Sequence, residues 1–297
     1  MKPLLIDKKS VLTNSINIKE VDQFYLNSPF HFHDAYEMVL ILKSNGRRIV
    51  GNNIENFNDG DLVLMGPDLP HAWYNENEYY LENTKLKVQA LVVYFYPDWL
   101  KDNLLSAPEL ARLRQLLENS KRGLKITGET KRQITEQIIS LASSSGLTRI
   151  ILLLTILDQL CKTEEYIFLA TPEYLNTFNQ KTDIDRIDKV YQYVLHNYKE
   201  KLKLEDIANI TCMTPTAFCK FFKARTEKTF TNFVNEVRIG QACKLLYERN
   251  ISISEICFEC GFNNFTHFNQ IFKAITKMTP TEYKAKIGVA TFKRTGS

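Results

Sequence analysis

At 297 residues the chain is long enough for about two domains. Its 44% hydrophobic and 24% charged residues, with only 11 Gly and 9 Pro, exclude a disordered, collagenous or low-complexity polypeptide. The formal charge of +4 hides an asymmetry: residues 1–182 hold 20 Lys/Arg against 22 Asp/Glu, and residues 183–297 hold 18 against 12. A basic module that meets a polyanion therefore follows a module with a different task.

No apolar run approaches the roughly 20 residues of a membrane span, and the opening MKPLLIDKKS lacks the apolar stretch of a secretory signal. The six Cys carry no pairing pattern in a chain large enough to build its own core. Reduced thiols, a cytoplasmic location and no membrane partner are the expectations.

The first hundred residues read as β. Segments 36–42, 47–50, 61–65 and 87–96 are rich in Val, Ile, Leu, Phe and Tyr and are separated by Asn, Gly, Asp and Pro. Within them His31 and His33 would point to one face of a strand. With Glu37 and His71 they make three imidazoles and a carboxylate, ligand types suited to a divalent transition metal. Tyr36 and Trp73 offer aromatic surface for a planar ligand beside them. From about residue 107 the period becomes helical: Leu110, Leu113, Leu116 and Leu117, then Ile134, Ile138 and Leu141. Residues 147–161 are apolar around most of a helix, which predicts a core helix or one packed on a partner subunit. Residues 166–183 lack a period and read as a linker.

The second half repeats itself. Phe218, Phe222, Lys223, Ala224, Thr226 and Thr229 recur fifty residues later as Phe268, Phe272, Lys273, Ala274, Thr276 and Thr279. Each copy reads as a short helix, a tight turn and a second helix. In the first copy Thr214 is the expected cap, with Pro215 at the first helical position. In the second, Gly261 supplies the turn and Asn263 or Asn264 the cap. The nineteen residues 229–247 between them would form a helix of about 28 Å, enough to set two recognition helices near one DNA turn apart. Cys257 and Cys260 form a lone CxxC, a weak zinc signal on a helix that needs small core residues.

Residues from about 187 to 285 resemble the DNA-binding domain of the AraC/XylS transcription regulators. The resemblance is carried by Ile207, Ala208, Met213, Pro215, Phe218, Phe222, Arg238, Ile256, Gly261, Phe262, Phe268, Phe272, Pro280 and Tyr283. It implies that the exposed faces of the two second helices enter the major groove. Those residues are Thr216, Ala217, Cys219, Lys220 and Lys223 in one, and Asn264, Thr266, His267, Asn269, Gln270 and Lys273 in the other. Glu227 and Lys277 stand where the family usually has Gly, and Gln270 where it often has Arg. In the first half, His31, His33 and Glu37, followed by the stretch around Pro67, His71 and Asn75, are similar to the two cupin motifs, with His71 one residue early. For this family that barrel implies an effector pocket at His31, His33, Glu37, His71, Tyr36 and Trp73, with no metal as the leading expectation and a divalent ion at the four ligands as the alternative.

The expected fold class is α+β: a cupin-like β-barrel with flanking helices over 1–165, a linker over 166–183, and an all-α domain with two helix-turn-helix motifs over 184–297. The expected function is a non-enzymatic, sequence-specific DNA-binding transcription regulator that answers to a small molecule, with a carbohydrate suggested by family habit. Double-stranded DNA, the effector, a second copy through residues 147–160 and RNA polymerase are the expected partners. A metal-dependent cupin enzyme carrying a DNA-binding domain is the rival, and a nucleoid-type architectural binder the third reading.

Overall fold

A strand that is buried at every position from 36 to 41 needs a layer on each side. In the computed structural model, which describes residues 15–26, 28–81, 84–96, 107–174, 181–248 and 251–286, that requirement shapes the first of two units, residues 1–185 and 186–297. Strands β1 (Ile16–Gln23), β2 (Tyr36–Lys43), β5 (Leu62–Met65), β7 (Val88–Phe95), β8 (Leu124–Ile126) and β9 (Tyr166–Phe168) form one antiparallel sheet in the order β1-β7-β2-β5-β8-β9. Strands β3 (Gly46–Val50), β4 (Asn53–Phe57) and β6 (His71–Asn75) form a second, in the order β4-β3-β6.

Period-two alternation sorts the large sheet. Tyr36, Met38 and Leu40 of β2, with Leu91, Val93 and Phe95 of β7, pack on helices α1 (Ala111–Ser120), α2 (Gly128–Ser143) and α3 (Gly146–Cys161). Out of step by one, Val39, Ile41, Ala90, Val92 and Tyr94 share a cluster with Val50, Phe57 and Trp73 of the small sheet. Each such side chain contributes about 1.5–3 kcal/mol by leaving water. The layers are helices, large sheet, small sheet.

The expected closed barrel is not formed. Among the described residues β3, β4 and β6 ladder only with one another, and a single bridge between His31 and His71 ties the small sheet to the segment before β2. Side chains join the sheets instead. Arg48 of β3, fully buried, donates to Asp61 beside β5 and to Glu55 of β4 at 2.9 Å, and Lys125 of β8 donates to Glu55 at 3.0 Å. Residues 166–174 are also no linker. β9 covers the ladder edge that β8 would otherwise leave unpaired, and Leu169, Ala170 and Tyr174 lie in the inner cluster. On α3, Leu153, Ile156, Leu157 and Leu160 fill the core, whereas Leu147, Ile151 and Leu154 are 71%, 53% and 38% exposed. Among the described residues no helix is long and apolar enough to cross a membrane.

The second unit holds α4 (Lys181–Asn197), which begins in the first unit's last residues, then α5 (Leu204–Ile210), α6 (Pro215–Thr226), α7 (Phe230–Glu248), α8 (Ile253–Glu259) and α9 (Phe265–Thr276). Helix α7 has no single apolar stripe because it serves two cores. Its Phe233 lies 5.6 Å from Phe222 of α6 and 4.9 Å from Tyr191 of α4, ring to ring. Its Ile239, Ala242 and Leu246 pack with Phe268 and Phe272 of α9. Cys257 and Cys260 are buried in that second core. Arg238 of α7 donates to the carbonyls of Tyr198 and Glu200 at 2.8 and 2.9 Å, and Gly261 abuts the same turn: a Cβ there would meet Tyr198 O at 2.6 Å.

Both α6 and α9 end on a left-handed residue that is not glycine, Glu227 at φ 60° and Lys277 at φ 63°. A side chain in that region is disfavoured by steric contact with its own backbone. Glu227→Gly and Lys277→Gly are each expected to stabilise the chain by about 0.5–1 kcal/mol, read as a raised midpoint in urea unfolding.

Candidate functional site

Two regions gather polar side chains into arrangements that exceed the needs of folding. The first lies between the sheets. Glu37 is only 3% exposed, and its Oε2 accepts from His33 Nε2 at 2.6 Å and stands 3.1 Å from His71 Nε2. His71 commits Nδ1 to the Leu69 carbonyl and His31 its Nδ1 to the Pro29 carbonyl, both at 2.8 Å. With Nδ1–H donating, the Nε2 of His71 presents a lone pair to a carboxylate. That contact is favourable only if a positive charge is shared there, carried by a second proton or by a metal ion. One nitrogen from each of His31, His33 and His71 lies within 4.8 Å of the others, and the carbonyl-bound Nδ1 atoms fix two rings as metal ligands usually are. The donor set fits a divalent transition ion.

The electrostatics are those of a dry site. Burial pushes the Glu37 carboxyl up, but the charge on His71 and hydrogen bonds from His33 and His71 overcome it and hold the group well below the usual carboxylate range. Burial, reinforced by His71 and opposed by Glu37, lowers His31 from 6.5 to about 3. Burial and the Glu37 carboxylate push the Tyr94 phenol well above 10.

A small cleft, with a cavity volume of about 50 Å³, opens beside this cluster. His31, Glu37, His71, Trp73 and Tyr94 line its polar end, Val21, Val39, Ile41 and Val92 its apolar wall, and Lys19 and Gln23 its rim. The indole N–H of Trp73 is buried without a hydrogen-bond partner. Tyr36 is not part of the pocket. It stacks on Phe95 at 5.3 Å on the helix side of the sheet, because it neighbours Glu37 and so faces the other way. His33 supports Glu37 without lining the cleft. Tyr94 escaped the sequence reading, although its alternation with Val93 and Phe95 carried the signal.

The second region is the exposed face of two like helices. Thr214 caps α6 by accepting from Ala217 N–H at 3.3 Å, and Asn264 caps α9 by accepting from His267 N–H at 2.8 Å. Ser252 and Glu255 start α8 with a reciprocal capping box. With Phe218 and Phe222 turned inward, about 100° per residue carries Thr216, Lys220 and Lys223 to the opposite side of α6. Thr266, Gln270 and Lys273 take the same places on α9. Thr216, Ala217, Cys219, Lys220, Lys223, Asn264, Thr266, His267, Gln270 and Lys273 are all exposed. Asn269 is half-buried, and its amide donates to the Phe265 carbonyl at 3.0 Å.

A family model described as a helix-turn-helix domain matches residues 207–286. The HTH-type transcriptional activator RhaR of Mannheimia succiniciproducens is 24% identical over 272 residues, 87% of each chain. An uncharacterized HTH-type transcriptional regulator in the cgkA 5' region of Pseudoalteromonas carrageenovora is 36% identical over 92 residues, 31% of this chain and 54% of that one. Residues 207–286 form a helix-turn-helix domain. A crystallised transcriptional regulator from Chromobacterium violaceum, described as an AraC-type DNA-binding domain-containing protein, is 24% identical with a TM-score of 0.33, covering 35% of this chain and 92% of that one. The helix-turn-helix domain leans on residues outside the match: Tyr191 of α4 enters its first aromatic core, and the 198–200 turn anchors Arg238.

His31 supplies a pH test of the pocket. The unfolded chain protonates this ring near 6.5 and the folded chain only near 3, so its contribution to stability is complete above 6.5 and is lost as pH falls toward 3. In chelator-treated protein the melting midpoint is expected to drop between pH 7 and 5, and His31→Gln to flatten that slope in circular dichroism melts.

Proposed function

We propose that the chain is a sequence-specific DNA-binding transcription regulator whose first unit takes a small-molecule effector between its two sheets. The observation that carries the reading is the pair of capped, solvent-facing helices α6 and α9, built alike fifty residues apart. Their unit, residues 186–297, holds 18 Lys/Arg against 10 Asp/Glu. Lysines on those faces suit guanine or phosphate, and the amide of Gln270 suits adenine. The relatives named as transcriptional activators support the same reading. Electrophoretic binding of the full chain to a duplex selected from a random pool tests it. Lys220→Ala and His267→Ala are each expected to weaken the selected duplex by about 1–3 kcal/mol relative to random competitor, and equal affinity for both duplexes would refute it.

For the first unit, an ionised buried carboxylate, an unpartnered indole N–H and aromatic walls suit a polyhydroxylated ligand such as a carbohydrate. A second reading, a divalent metal on His31, His33, His71 and Glu37, is favoured by the 4.8 Å clustering of the imidazole nitrogens. Thermal shifts of chelator-treated protein separate them: a sugar that raises the midpoint, and fails to with Trp73→Ala, supports the effector pocket, whereas a rise with Zn²⁺ or Mn²⁺ that His71→Ala removes supports the metal. The exposed stripe Leu147, Ile151 and Leu154 is the face we assign to a second copy. Ile151→Lys is expected to leave a monomer in sedimentation.

A further inference from the structure

The first turn of α9 carries an exposed large apolar side chain that the base-reading chemistry above leaves unused. Phe265 is 42% exposed at the first position of the helix, one residue after the Asn264 cap. Its ring stacks on Phe268 at 6.2 Å and 28°. Phe268 is itself fully buried in the core under α9. The Phe265 ring therefore lies at the edge of that core with much of its surface in solvent, and its backbone is fixed by the Asn264 cap and by the bond that Asn269 makes to its carbonyl.

From these contacts we infer that Phe265 is a specificity-determining residue that reads the 5-methyl group of a thymine in the major groove. The inference rests on the DNA-binding reading of α9. Residues at the start of a recognition helix are the ones that reach base edges. The thymine methyl is the apolar group on the major-groove edge of the four bases, and an aromatic ring packs against it. Asn264, Thr266 and His267, which adjoin Phe265 along the chain, are polar and exposed and suit the acceptors and donors that flank a methyl. Fifty residues earlier the same helical position is Pro215, half-buried and without an aromatic ring that could extend. The two probes thus differ: α9 demands a thymine where α6 makes no such demand.

The test uses the full chain and a duplex it selects from a random pool, in which each thymine is replaced in turn by deoxyuridine, removing only the methyl. For the unaltered protein one thymine in the half-site read by α9 is expected to be sensitive, with on the order of fourfold weaker binding for one lost methyl contact. Phe265→Ala is expected to bind thymine and deoxyuridine equally at that position while keeping its preferences in the other half-site, and Phe265→Leu to retain part of the discrimination. Because the comparison is between two duplexes on one variant, a small loss of stability does not mimic it. An unchanged thymine preference in Phe265→Ala overturns the inference while leaving the DNA-binding reading intact. Failure of the unaltered chain to enrich any sequence overturns both.

Discussion

A carboxylate buried between two sheets is the constraint around which the first unit is arranged. Glu37 pairs in register with Met65 on one side and Tyr94 on the other. A one-residue slip of β2 would turn Glu37 into the leucine-rich layer against the helices and Tyr36 into the cleft. An unpaired charge in such a layer costs several kcal/mol, so the acid that equips the pocket also fixes the strand. The imidazoles of His33 and His71 make the buried charge tolerable. They come from segments that the His31–His71 bridge brings together, and the site exists only once both sheets are in place.

The second unit solves a different problem. Two small helix-turn-helix motifs have little core each, and both share α7, which gives Phe233 to one and Ala242 and Leu246 to the other. The price is local strain where each recognition helix stops, since Glu227 and Lys277 occupy the left-handed region without being glycine. What remains outside the cores is the functional surface. Nearly alike in backbone, the two helices differ in chemistry, with Lys220 and Cys219 on one and Gln270, His267 and Phe265 on the other.

Much of this was legible in the residue order. The helical periods of α1 to α3, the caps Thr214 and Asn264, the tight turn at Gly261 and the outward faces of α6 and α9 follow from local chemistry, and the structure has them where that chemistry requires. Strands β2, β3, β5 and β7 were readable for the same reason, being long or strongly apolar. The three-residue strands β8 and β9 were not, because β8 pairs with a sheet edge about sixty residues away in β5, and β9 with β8. Pairing at such distances also hides the end of the first unit and the link from Lys125 to Glu55.

By itself the order of residues determined the duplicated helix-turn-helix and its outward side chains, because helix starts, stops and faces depend on neighbours within a turn or two. Tertiary structure alone decided that the sheets pack without closing a barrel, that Tyr36 faces the helices, that Tyr94 joins the pocket, and that Phe265 stacks on buried Phe268 with much of its ring in solvent. Those outcomes depend on which side of a strand or helix meets which distant surface, a choice made by packing and by the refusal of a buried charge to go without a partner.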